Sequence, residues 1–171
     1  MCGAKKTELA YLTGLRKTSR NSAVAAKVLT HPCDPDRVIE YARKFRDRAG
    51  SDFDQTWCVL DVDQFDYTRA LPTAERNNIN LAISNPCFET WLLLHHIDLH
   101  APLRNAGATQ DLLKQVVPAY DKTDLDFSDF APQVPEAIRR AKLMASKGSA
   151  LGDNPSSGMW ELVELIAAAS T

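Results

Sequence analysis

The stretch Thr56-Trp-Cys-Val-Leu60 constrains this chain more than any other. Its aromatic, β-branched and aliphatic residues follow one another without polar alternation, as expected of a strand covered on both faces. Such a strand belongs near the middle of an α/β domain, in a parallel sheet flanked by helices. Asp61-Val-Asp63 closes it and places two carboxylates where the strand gives way to a turn.

The flanking segments agree with this reading. Asp34 followed by Pro35 predicts a capped helix with Val38, Ile39, Ala42 and Phe45 on its inner face, ending near Gly50. A helix is expected over 71–78, a buried strand over Ile79–Ser84, and a helical run starting at Asn85-Pro86 and reaching His96. Ala23–Leu29 reads as a further strand, ahead of the turn-rich His31-Pro-Cys-Asp-Pro35. Leu9, Leu12 and Leu15 predict a helix over Lys6–Leu15 with Thr7 as its cap. Only Met1 and Cys2 then remain for a first strand, and the expectation is a chain truncated at this end. Gln110–Val117, Pro135–Lys147 and Gly158–Ala169 read as helices. With strands confined to the first half, the sheet is expected to be parallel and to be covered by a helical C-terminal part.

A length of 171 residues suits one domain, with a sheet core over about 1–100 and the helical part over about 101–171. Hydrophobic residues at 44% and charged residues at 25% exclude a disordered or fibrous chain. The net charge of -2 gives no overall attraction to phosphate, so contact with nucleic acid needs a local basic face or a bound metal. Cys2, Cys33, Cys58 and Cys87 form no Cys-x-x-Cys pair, which argues for reduced, buried thiols rather than zinc or disulfides. No leader-like segment is seen and the longest apolar run, Trp91–Leu94, cannot span a bilayer. The expected location is the cytoplasm, with no membrane partner.

In open parallel sheets ligands bind outside the carboxyl ends of the strands. Asp61 and Asp63, two residues apart at such an end, can converge on Mg²⁺ or Mn²⁺, which needs only one or two protein carboxylates beside water and phosphate oxygens. The chemistry available to such a site is phosphodiester hydrolysis or phosphoryl transfer. Solvated loop aspartates are the plainer alternative.

Several further residues carry two readings each. Glu89 follows Asn85-Pro86 in a strongly apolar helix and must be paired, either within a metal cluster or with a base such as Lys122. Lys122 steadies a phosphate or stands exposed beside Asp121. His95 takes part in chemistry or is a hydrogen-bonded core residue. Arg43, Lys44, Arg46 and Arg48 bind nucleic acid or form a solvated helix face.

Cys2-Gly-Ala-Lys-Lys-Thr-Glu8 with Tyr11, then Asp61-Val-Asp63, Ile83-Ser-Asn-Pro-Cys-Phe-Glu-Thr-Trp-Leu-Leu-Leu-His95, Tyr120-Asp-Lys122 and Asn154-Pro-Ser-Ser157 occur in an order that resembles the RloB-like family. The set covers nearly the whole chain. The resemblance implies a small Toprim-like, Rossmann-like sheet and a metal-dependent nuclease subunit that acts on DNA or RNA in defence against phage or foreign DNA, often beside an ATPase partner. On the leading reading Asp61 and Asp63 are metal ligands for Mg²⁺ or Mn²⁺, Glu89 completes or orients the acidic site, Glu8 partly stands in for a missing glutamate, and Lys122 contacts phosphate. The family pattern resembles Cys-Glu-Gly-x-x-Thr-Glu, so Gly3 stands at its first glutamate and Glu8 at its second acidic position. That departure leaves a second expectation, a catalytically silent module that binds nucleic acid, a nucleotide or the ATPase. A sheet edge left open by a missing first strand would also allow a homodimer.

Overall fold

A computed structural model describes residues 6–19, 27–28, 34–62, 67–146 and 152–167. Helix α1 covers Thr7–Thr18 and α2 covers Pro35–Ala49, followed by strand β1 over Trp57–Asp61. Helix α3 (Ala70–Arg76) leads into β2 (Asn80–Asn85) and the short α4 (Glu89–Leu93). Then come α5 (Ala106–Val116), α6 (Val134–Ser146), β3 (Ser156–Ser157) and α7 (Met159–Ala167). The chain is therefore α/β and mostly helical among the described residues. Among the described residues no helix is long and apolar enough to cross a membrane.

Local chemistry accounts for α2 as the sequence predicts. The Asp34 side chain accepts a hydrogen bond from the Arg37 amide at 3.1 Å, Pro35 opens the first turn, and Gly50 at φ 66° ends the helix. Thr7 departs from expectation. It lies inside α1 rather than capping it, and its hydroxyl donates to the Lys122 carbonyl at 2.9 Å. A long-range acceptor has replaced the local amide donor that a cap would engage.

Strands β1 and β2 are parallel, in register from Trp57 opposite Asn80 to Asp61 opposite Ser84. The expectation of an all-parallel sheet from the first half is corrected by β3, which pairs antiparallel with β2 through Ser84–Ser157 and Asn85–Ser156. The Ser84 and Ser157 hydroxyls bond to each other at 2.9 Å, and the Gly158 amide donates to the Ile83 carbonyl at 2.8 Å. Two serines carry no hydrophobic periodicity, so this strand exists through its partner alone. The same pairing corrects the start of α4. Asn85 is still held in the sheet, so Pro86 cannot occupy a first helical turn, and the helix opens at Glu89. Of the strand expected over Ala23–Leu29, only Lys27 and Val28 are described and neither is in a strand; the other positions, with Met1 and Cys2, lie outside the described residues.

Alternation along the strands sends side chains to two separate cores. Cys58, Leu60 and Ile83 pack against Val38, Ile39 and Ala42 of α2 and against Ala70 and Ala74 of α3. Val59 and Ala82 face a larger core with Tyr11, Leu12 and Leu15 of α1, Trp91–Leu94, Leu113 of α5 and Val163 of α7. Fully burying one such aliphatic or aromatic side chain stabilises the fold by roughly 1.5–3 kcal/mol, so the second face carries most of the hydrophobic stabilisation.

Tyr11 is the hub of that face. Its ring meets Phe88, Trp91 and Phe127 edge-on, with centroids at 5.7, 6.3 and 5.1 Å. Its hydroxyl lies 3.0 Å from His95 Nε2, while His95 Nδ1 lies 3.0 Å from the Trp91 carbonyl. A carbonyl only accepts, so Nδ1 carries the proton and Nε2 accepts from Tyr11. Phe127 approaches α1 closely at Gly14, where a methyl group would overlap its ring. Gly14→Ala is therefore expected to destabilise the protein by about 1–3 kcal/mol, read as a lowered midpoint in urea unfolding; an unchanged midpoint would contradict this packing.

Candidate functional site

Asp61 ends β1 on the same face as Trp57 and Val59, since side chains two apart share a face, and Ser84 is its register partner on β2. This is the carboxyl end of both parallel strands. Against it lies the start of α4, which brings Glu89, and Glu8 at the start of α1 lies near Glu89 and Lys122. Both glutamates are buried, with 2% and 1% of their surface exposed. The segment after α5 completes the group with Tyr120 and Lys122.

Glu89 is the most densely contacted member. Its Oε1 accepts from the Tyr120 hydroxyl at 3.0 Å and faces Lys122 Nζ at 3.3 Å. Of the two readings of Glu89, the pairing with Lys122 is therefore present. Burial works to depress the Lys122 ammonium, but the Glu89 carboxylate, with Cys87 and Asp61 behind it, outweighs burial and raises it. Burial, followed by the charge and hydrogen bond of Glu89, raises the Tyr120 phenol. The Cys87 thiol is raised for the same reasons, with Asp61 adding to the effect. Half of the Lys122 side chain remains exposed, so the pair opens to solvent on the lysine side.

Glu8 is held differently. Its Oε2 is buried with no hydrogen-bond partner. Burial foremost, and the nearby charge of Glu89, push its pKa up to about 7, against the opposing pull of its own backbone amide and of Lys122. A carboxyl group of that kind exchanges its proton near neutral pH.

The structure thus gathers Glu8, Glu89 and Lys122, with the charge of Asp61 felt at Cys87 and Lys122. Asp63 lies outside the described residues. Among the described residues no group of three or more His, Cys, Asp or Glu side chains is placed to hold a metal ion. His95 belongs to the Tyr11 hub, so its core reading holds. On α2, Arg43 pairs with Glu40 and Asp47, Lys44 with Glu40, and Arg46 with Asp47 and the Asn77 carbonyl, the arrangement of a solvated face. Cys58 and Cys87 are free and buried, as expected; Cys2 and Cys33 lie outside the described residues.

Sequence reasoning gave Tyr120, Cys87 and Thr7 no part in the site. Tyr120 carried only a weak signal, its nearness in sequence to Lys122, because the turns of that segment follow no periodicity. Thr7 and Cys87 carried none, because their partners lie far along the chain or come from the fold.

Comparison with known proteins adds one match. A family model described as RloB-like protein matches residues 1–166. No curated protein and no solved structure matches the chain.

Glu8 and His95 make opposed demands on pH. In the unfolded chain His95 takes up a proton near 6.5, but in the fold burial holds it down to about 3. Between those values the unfolded state binds more protons, and stability rises with pH. Glu8 releases its proton near 4.5 when unfolded and near 7 when folded, so in that window the folded state holds more protons and stability falls with pH. Each slope approaches about 1.4 kcal/mol per pH unit, and over pH 4.5–6.5 they cancel. In EDTA, Glu8→Gln is expected to gain on the order of 2–3 kcal/mol from pH 4.5 to 6.5, while His95→Gln loses a similar amount. Urea unfolding at five pH values checks this, and parallel curves for both variants would remove the assigned burial effects.

Proposed function

We propose, on the premise that this chain belongs to the RloB-like protein family, that it is a Toprim-like, metal-dependent nuclease subunit acting in defence against phage or foreign DNA. The observation that carries this reading is the grouping of buried Glu8 and Glu89 with half-exposed Lys122, which feels the charge of Asp61 at the carboxyl end of β1. A fold gains no stability from gathering carboxylates in a poorly solvated place, so the grouping asks for a ligand.

The donor set fits a hard cation. It consists of carboxylate oxygens, and the unpartnered Oε2 of Glu8 is an acceptor without a donor. Asp61, together with Asp63, would hold Mg²⁺ or Mn²⁺. When bound, the ion would polarise a phosphoryl oxygen and acidify a water molecule.

The remaining work falls to the chain itself. Lys122 stays ionised because Glu89 faces it, and its exposed half offers a point charge to a phosphate of DNA or RNA. Glu89 orients that lysine and completes the acidic wall. Glu8, with its proton exchanged near neutrality, serves as general acid or base in place of the glutamate that Gly3 does not supply.

Gly3 and the engagement of Glu89 by both Tyr120 and Lys122 favour a second reading, a silent module that binds nucleic acid, a nucleotide or an ATPase partner. Incubation with single- and double-stranded DNA and RNA in Mg²⁺, Mn²⁺ or EDTA separates the two. Metal-dependent cleavage is expected, reduced by about 10²-fold or more in Asp61→Asn and in Lys122→Ala. Binding without cleavage of any substrate would establish the silent module instead.

A further inference from the structure

Two residues fix the geometry of the Glu89–Lys122 pair without belonging to it. The segment from Val117 to Asp124 has no regular secondary structure and is shaped by local bonds. The Tyr120 amide donates to the Val117 carbonyl at 2.9 Å, and Asp121 Oδ1 accepts from the Thr123 amide and hydroxyl at 2.7 and 2.8 Å. Such bonds give the segment its form but do not set its place over the sheet. Burial of Val117, Tyr120 and Leu125 in the larger core holds it there, and two long-range bonds fix its place further. The Tyr120 hydroxyl reaches Glu89 on α4, and the Thr7 hydroxyl on α1 reaches the Lys122 carbonyl. Both Thr7 and Tyr120 are buried, at 3% and 6% exposure.

The use of Thr7 is informative. At the start of a helix a threonine hydroxyl ordinarily serves a nearby amide of its own helix. Here it serves a carbonyl 115 positions away, in the residue whose ammonium faces Glu89. Glu8 is the next residue, so the same anchor ties the position of Glu8 to that of Lys122. Tyr120 and Lys122 meet the same oxygen of Glu89, which leaves that carboxylate little freedom to rotate.

We propose that Thr7 and Tyr120 are positioning residues of this site, Tyr120 setting the orientation of the Glu89 carboxylate and Thr7 setting the main chain from which Lys122 reaches it. The catalytic consequence rests on the nuclease reading; the anchoring does not.

The test uses the full chain as Thr7→Val, Thr7→Ser and Tyr120→Phe, with amide hydrogen exchange and steady-state cleavage in Mg²⁺ as the two readouts. In Thr7→Val, amides of residues 120–124 are expected to exchange about tenfold faster or more, with α5 and α6 protected as in the parent. Thr7→Ser, which keeps the hydroxyl, is expected to restore the parent rate. Tyr120→Phe is expected to lower kcat by about 10–100-fold with KM within about twofold, the pattern of a displaced catalytic group rather than lost substrate binding. Parent-like exchange in Thr7→Val, parent-like kcat in Tyr120→Phe, or protection lost evenly along the chain would each overturn the proposal. Should the parent protein cleave nothing, the nuclease reading falls alone, and the exchange data by themselves uphold or overturn the anchor.

Discussion

The burial of the Glu89 carboxylate is the constraint from which the arrangement of the second face follows. An ion taken out of water loses several kcal/mol of solvation, and it persists in a folded chain only with close partners. Glu89 opens a helix whose following residues, Trp91–Leu94, are wholly apolar and packed into the core, so it cannot turn out to solvent without unpacking them. Its partners must therefore come to it. Tyr120 and Lys122 do so from beyond α5, and Thr7 fastens their segment to the first helix. One buried charge thus joins the beginning, the middle and the later part of the chain at a single point.

Tyr11 performs the complementary apolar task. Three residues after Glu8, it lies on nearly the same side of α1 and drives its ring into the space between α4 and the segment at Phe127. Its hydroxyl is satisfied by His95, just beyond the end of α4, so α1 is pinned to the α4 region one turn along from Thr7. Thr7 and Tyr11, one turn apart, anchor the first part of the helix through two separate contacts, and the position of Glu8 between them is set by both. The hub and the acidic site are adjacent parts of one packing solution, one apolar and one ionic, built on the first turns of α1.

Where the sequence was legible, the information was local. The Asp34-Pro35 start and the Gly50 end of α2 are read from the cap chemistry of adjacent residues, and β1 and β2 from runs whose composition leaves few other conformations. The position of Asp61 at a strand end followed from the same run. Where the reading departed from the structure, a distant partner had intervened. Ser156–Ser157 is a strand because β2 offers an edge, Asn85 stays extended because β3 holds it, and Thr7 leaves its capping role because the Lys122 carbonyl is within reach. The two readings of Glu89 could not be separated from sequence for the same reason, since pairing with Lys122 depends on a contact across α5. The family motif matched Glu8 to an acidic position and burial reasoning offered Lys122 as a partner for Glu89, but that the three meet in one place needed the fold.

Glu8 is the member of the group that packing explains least. A glutamate in the first turn of a helix complements the helix dipole, and that is sufficient reason for its presence at a surface. It is not sufficient here. The benefit to the dipole is at most about 1 kcal/mol and is equally available to an exposed side chain, whereas burying a carboxyl oxygen with no donor costs roughly 1–3 kcal/mol. Glutamine in the same place would offer an amide to the neighbouring Glu89 carboxylate and remove a source of repulsion, and a leucine would join the core beside Leu12 and Leu15. The fold retains instead a group that stability alone disfavours, set beside a second buried carboxylate and a half-exposed cation. Stability sacrificed at one point and supported by packing around it is the usual physical signature of a residue kept for chemistry or ligand binding.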